Sequence, residues 1–305
     1  MVFTELLTTF ADNLLPILLI GGAGFLVGKA LYVEPRTLGR VVFYIFSPIL
    51  VFDLLLNTKL NSADIFTTMG FSISIAVTVG ALAFLVGKLF GFERPILMAM
   101  ILTSAFGNTG NYGLPLVSFA FGDHALTYAT IYFVTNSIMF NTVGVLIASL
   151  GHMDFKSAML GMFKVPTVYA VVLAALLNRF QIVLPTPLAR TVDLASNGSI
   201  PVMIVLLGLE LSRVQWSHSF RAMGLSAALR LLAGPAVALL LAIPFGWHGA
   251  ARQANVIEAS MPAAVTNTVL ASEYGLDTSL VTATVFIGTI LSPLTLTPLL
   301  VYLGR

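Results

Sequence analysis

Apolar residues run along this chain in blocks of roughly 20, the length of a helix that crosses the hydrocarbon core of a bilayer. Short connections between the blocks hold most of the charge. Ten segments follow from this pattern, near residues 8–31, 37–57, 66–90, 95–121, 125–149, 159–180, 188–211, 220–245, 250–274 and 278–302. The predicted fold class is an all-α integral membrane protein with ten transmembrane helices. The longest polar connection, Gly151 to Ser157, is only a few residues, so the membrane domain is expected to be the whole protein. Glu5 and Asp12 stand where a cleavable signal peptide would have its basic start, and the first block is therefore read as a retained helix.

The connection near residue 150 divides the spans five and five. An odd number per half makes the second half enter the membrane in the opposite direction, which is the arithmetic of two inverted five-helix repeats, residues 1–150 and 151–305. Weak internal similarity agrees: Ser47-Pro48-Ile49-Leu50-Val51-Phe52 resembles Ile200-Pro201-Val202-Met203-Ile204-Val205.

Two spans are interrupted at corresponding places. The fourth contains Ala105-Phe106-Gly107-Asn108-Thr109-Gly110-Asn111-Tyr112-Gly113-Leu114-Pro115, and the ninth contains Ser260-Met261-Pro262-Ala263-Ala264-Val265-Thr266-Asn267-Thr268. Glycine and proline leave backbone amides and carbonyls without helical partners, and in lipid those groups must find protein or water. Paired interruptions are a sequence pointer to a transporter site. Gly110, Gly113 and Pro115 are expected to open the fourth span, and Pro262 the ninth.

Both breaks are rich in amides and hydroxyls and poor in charge. Half-helix N-termini with free N–H groups suit a carboxylate, whereas C-terminal ends and unwound carbonyls suit a cation. Asn108, Thr109 and Asn111, with Thr266, Asn267 and Thr268 opposite, are candidate donors to an organic anion. The alternative is that they tie helices together by interhelical hydrogen bonds. Asn197, within Ala195-Ser196-Asn197-Gly198-Ser199-Ile200-Pro201, marks a further unwound-looking polar patch or a simple cap or kink. Its counterpart by repeat symmetry is Tyr44, so the halves are not chemically equal.

Composition sharpens the class. Hydrophobic residues make up 58% of the chain and charged residues 9%, against about a quarter charged in a soluble domain. A net charge of +2 gives no reason to expect nucleic acid, and the lack of cysteine excludes disulfides and thiol chemistry. Lys29, Arg36, Arg40, Lys88, Arg94, Lys156, Lys164, Arg213 and Arg221 fall on one side of the ten spans, and Lys59, Arg179, Arg190, Arg252 and Arg305 on the other. The richer side is read as cytoplasmic, so both termini are expected outside the cytoplasm of a plasma (inner) membrane.

Ionisable residues within spans invite a functional hypothesis. Asp53 and Asp193 lie near span ends. Arg230 and Glu258 are deeper, and either neutralise one another as a brace, the favoured reading, or leave Glu258 to carry a proton. The histidines, His124, His152, His218 and His248, lie in connections without metal-ligand spacing or a catalytic acid, and no GxxxxGK phosphate loop occurs. No enzyme, cofactor or metal site is expected.

Asn108-Thr109-Gly110-Asn111-Tyr112-Gly113-Leu114-Pro115-Leu116, Arg230-Leu231-Leu232-Ala233-Gly234-Pro235-Ala236-Val237, and Met261-Pro262 followed by Ala271-Ser272-Glu273-Tyr274 occur in this order. Together they resemble the auxin efflux carrier family, which includes the plant PIN-FORMED proteins, over essentially the whole chain. The resemblance implies inverted repeats with broken, crossing fourth and ninth helices and an elevator or rocking motion of the crossing unit against a scaffold. It also implies a carboxylate held by asparagines, here Asn108 and Asn197, and a homodimer through the scaffold spans. The plant members carry a second proline where Asn267 stands, a glutamine where Glu258 stands, and a long regulated loop in place of Gly151 to Ser157.

The function implied is a secondary transporter of a small organic anion in the lipid bilayer, a carboxylate such as indole-3-acetate, malate or malonate, with a proton or sodium as the candidate coupling ion. The alternative is an anion channel or a membrane ligand sensor using the same pocket.

Overall fold

The computed structural model describes residues 2–57, 61–149 and 161–304; Lys59, the connection Gly151 to Ser157 with His152 and Lys156, and Arg305 lie outside the described residues. Every regular element among the described residues is a helix. In chain order these are α1 (Phe3–Ala30), α2 (Pro35–Asn57), α3 (Ser62–Leu89), α4 (Arg94–Ala105), α5 (Thr109–Ala148), α6 (Pro166–Arg179), α7 (Thr186–Leu211), α8 (Phe220–Phe245), α9 (Gly249–Ala259), α10 (Asn267–Glu273), α11 (Thr278–Leu291) and α12 (Pro293–Leu303). A short 3-10 turn, Gly161–Lys164, precedes α6.

Six of these helices are long and apolar enough to cross a membrane, and the pair α11–α12, bent by 48°, makes a seventh when taken as one span. Prolines account for several boundaries. Pro35, Pro95, Pro166, Pro187 and Pro293 sit at the first or second position of their helices, where the missing N–H has no helical partner to lose. Helix α5 is 40 residues long but turns sharply at Gly122, whose φ of 71° and ψ of −171° are outside the helical region. The kink falls between the fourth and fifth segments drawn from the sequence.

The helices form two packing groups. In one, α1 lies along α7, and α2 packs on α6 and α7. The α1–α7 contact is backbone to backbone: a Cβ on Gly24 would strike Val205, and one on Gly208 would strike Gly21. In the other, α3 packs on α4, α5 and α8, while α9 packs on α5 and α8, and α8 on α11. Large apolar side chains such as Leu19, Leu26, Phe66, Leu85, Leu194, Leu232, Leu240 and Leu294 point outward from the helices. An apolar exterior spread over so many helices is the surface a bilayer solvates.

Candidate functional site

The two interruptions meet. Asn108 N–H donates to the Pro262 carbonyl at 2.7 Å and Ala264 N–H donates to the Phe106 carbonyl at 3.0 Å, so that Gly107 and Ala263 form an isolated antiparallel bridge. Each break thereby supplies the backbone partner that the other lacks. The groups are buried, and unpaired amides and carbonyls there would be costly.

The fourth break is narrower than the sequence implies. Only Phe106, Gly107 and Asn108 leave the helix, and Thr109–Gly113 is a wide π turn closed by Gly113 N–H to Asn108 O at 3.0 Å and by Leu114 N–H to Thr109 O. Gly110, Gly113 and Pro115 thus lie in helix and do not open the span. A proline ring crowds the carbonyl four residues back, and a widened turn just before Pro115 is one way to accommodate it. The glycines act by close approach. Gly110 faces the Phe133 ring, and a Cβ on Gly113 would run into the Glu258 carboxylate. In the ninth span the irregular stretch is longer, Ser260 to Thr266, with Pro262 inside it.

Arg230 is 2% exposed and reaches both breaks. Its Nε donates to the Met261 carbonyl and its Nη1 to the Ser104 carbonyl, 3.2 Å away. Ser104 lies in the last turn of α4 and Met261 just beyond α9, so a single guanidinium binds carbonyls at the C-terminal ends of the two helices that lead into the breaks. Those ends carry negative partial charge, which a cation offsets. Gly107 leaves the room: a Cβ there would overlap the guanidinium. Glu258 is completely buried, and neither carboxylate oxygen has a hydrogen-bond partner among the described residues. Arg230 and Glu258 influence one another electrostatically, but the guanidinium's hydrogen bonds go to the breaks. The brace read from the sequence is therefore rearranged: Arg230 ties the backbone of one break to that of the other.

The candidate donors differ in what they meet. Asn108, 5% exposed, has an Nδ2 with no partner among the described residues. Thr109 Oγ1 accepts from Asn136 Nδ2 at 3.3 Å, and Asn136 also donates to Gly107 O at 3.4 Å. Asn111 Nδ2 donates to Glu210 Oε2 at 3.4 Å. Asn267 is fully buried and donates to the Phe106 carbonyl at 3.1 Å, which leaves its Oδ1 without a partner. Thr266 is exposed, and Thr268 Oγ1 turns back to the Val265 carbonyl.

Asn197 is elsewhere. Helix α7 runs unbroken through it, so the unwound patch expected there does not occur. Its side chain is exposed and bonds Asp193 Oδ1 at 3.2 Å, one turn back. Ser199 explains the polar look of this stretch, because its hydroxyl binds the Ala195 carbonyl of its own helix and the Phe46 carbonyl of α2. Asp53 and Asp193 share a cleft of about 430 Å³ with Asn57, Asn178 and Gln181 at the ends of α2, α6 and α7.

Three participants escaped the sequence reading. Asn136 stands in Thr135-Asn136-Ser137, a polar island in an apolar span, and that island was its signal. Glu210 is the last residue but one of its span, five residues before Gln215, and reads as an ordinary interfacial acid. Ser104 contributes a carbonyl, which no side-chain pattern reveals.

Residues 9–156 and 152–300 match the membrane transport protein family. The chain belongs to that family. An uncharacterized transporter of Methanothermobacter thermautotrophicus is 29% identical, over 85% of this chain and 86% of its own. A Rhizobium meliloti protein named "Putative malonate transporter" is also 29% identical, over 88% of this chain and 86% of its own. The rice protein (Oryza sativa subsp. japonica) named "Probable auxin efflux carrier component 5a" is 29% identical over 42% of this chain and 37% of its own. These relatives establish the auxin efflux carrier kinship read from the motifs. The protein is a multi-pass membrane transporter and not an enzyme.

Proposed function

We propose that this family member moves a small organic anion, a carboxylate of the malonate, malate or indole-3-acetate class, by elevator-type alternating access. The carrying observation is the pair of apposed breaks with the unpartnered, buried Asn108 amide beside the N-terminus of α5. A carboxylate there gains an amide donor and a favourable helix dipole. Asn111 and Asn267 adjoin it. Thr109 supports the backbone, and Thr266 and Asn197 would join only after a rearrangement.

In this reading α4 with the first part of α5, and α9 with α10, each count as one broken span, which gives ten spans in two inverted repeats, residues 1–150 and 151–305. The packing supports it. Exchanging the first five spans with the last five turns the α1–α7 contact into α6–α2, and the α3–α4 contact into α8–α9. The group containing α1, α2, α6 and α7 would be the scaffold and dimer face, and the other group the moving unit. Both termini would face away from the cytoplasm of the plasma membrane.

The test is a thermal-shift screen of purified protein against malonate, malate and indole-3-acetate, with and without sodium, since a ligand of the native state raises its apparent stability. Asn108→Ala is expected to weaken binding by about 1.5–3 kcal/mol, the worth of a hydrogen bond to a charged group. Wild-type affinity in that variant would remove the site assignment. Glu258 is the candidate proton carrier, and unchanged pH dependence of uptake in Glu258→Gln would exclude it. Turnover in proteoliposomes separates a carrier from a channel or a sensor.

A further inference from the structure

Glu210 is an acid at the edge of what is read as an anion site, and no part of the mechanism above uses it. It is the penultimate residue of α7, a helix packed on α1, whereas Asn111 lies in the first turn of α5 in the other packing group. The hydrogen bond from Asn111 Nδ2 to Glu210 Oε2 therefore crosses between the groups, at 3.4 Å and 99 residues apart in sequence. Both residues are half-buried.

Beside them is a small cleft of about 60 Å³, lined by Glu210, Arg213, Val265, Thr268 and Thr282. At roughly 30 Å³ per water in the liquid, it holds about two waters and is too small for a dicarboxylate without widening. Arg213 does not neutralise the acid: its Nη2 donates to the Val33 carbonyl at 3.0 Å. Thr268 and Thr282 direct their hydroxyls to backbone carbonyls. Among the described residues, Asn111 is thus the side chain that donates to the Glu210 carboxylate.

Resting on the carboxylate site proposed above, we propose that Glu210 is a tethered competitor of the substrate, its carboxylate occupying the Asn111 amide until an incoming carboxylate displaces it. A helix N-terminus with a free amide favours any carboxylate, including one supplied by the chain. A second carboxylate brought to the same amide finds that donor already taken and, when Glu210 is ionised, also meets like-charge repulsion in a partly buried setting, where screening is weak. Occupancy by substrate and retention of the Glu210 contact exclude one another. Because the contact joins α7 to the crossing unit, its loss on binding frees one packing group to move against the other, and binding energy selects the released state.

Two measurements on the purified full-length protein test this. Glu210→Gln keeps the shape and an acceptor oxygen but removes the charge, and is expected to bind malonate or indole-3-acetate on the order of tenfold more tightly than the parent. Unchanged or weaker affinity would overturn the competitor role. Asn108→Ala measured in parallel keeps the two ideas apart: affinity lost there with no gain in Glu210→Gln retains the site and removes the competitor, and parental affinity there removes the site. The second measurement needs no ligand. The chain has no cysteine, so Thr268→Cys is a single reporter of the cleft. Adding Glu210→Ala is expected to speed its labelling by N-ethylmaleimide several-fold, and equal rates with and without Glu210 would show that the contact does not hold the cleft closed.

Discussion

At the fourth break three residues, Phe106 to Asn108, leave the helix, whereas at the ninth the chain runs irregularly from Ser260 to Thr266. The glycine-rich sequence makes the shorter opening, because its Thr109–Gly113 stretch recovers helical bonding at once through a π turn. The side chains differ in the same way. Asn108 keeps a free amide, while the Asn267 amide is engaged by the Phe106 carbonyl of the opposite break. The fourth break therefore presents a donor, and the ninth holds the fourth in place. Two interruptions that look equivalent as sequence divide into one that offers a free amide and one whose amide supports the other.

Removing what the breaks share has the largest expected effect. Arg230→Leu leaves the Ser104 and Met261 carbonyls without their cation and Glu258 without a nearby positive charge, and should destabilise the fold by about 3–5 kcal/mol. Thermal unfolding in detergent measures this, and a parental midpoint would mean that the crossing stands without a common brace. Next comes the contrast itself. Asn108→Ala is expected to reduce affinity by the amount given above with little change in stability, since its Nδ2 has no partner to lose.

Asn267→Ala should do the reverse and lower stability by about 0.5–1.5 kcal/mol, a modest loss because the Phe106 carbonyl retains the Ala264 amide. An affinity defect in Asn267→Ala as large as that of Asn108→Ala would erase the distinction between the breaks. The smallest effect belongs to Asn197→Ala. Its side chain is exposed and bonded only within its own helix, so stability should change by less than about 0.5 kcal/mol. A clear loss of binding there would show that α7 swings Asn197 into the site in another state.

Much of this was legible beforehand, and the parts that were not share a cause. The apolar blocks marked the long helices because burial in lipid demands runs of apolar residues whatever their neighbours are. Pro262 and the glycine-rich run that begins at Gly107 marked the breaks because backbone chemistry is local. The same local reasoning misjudged Gly110, Gly113 and Pro115, since a π turn satisfies a proline without unwinding the helix. It also left open an unwound patch or a cap or kink at Asn197, where the helix runs unbroken and Ser199 binds carbonyls of α2 and α7.

By itself, then, the sequence determined that this protein lives in a membrane, that its helices are interrupted within the run Phe106–Pro115 and around Pro262, and which family it joins. Those properties follow from hydropathy, from backbones that glycine and proline alter locally, and from motifs preserved in order. The tertiary structure alone decided which amide stays free, that Arg230 binds Ser104 and Met261, and that Glu210 reaches Asn111 across 99 residues. Hydrogen bonds between distant segments depend on how helices cross, and no spacing along the chain encodes a crossing.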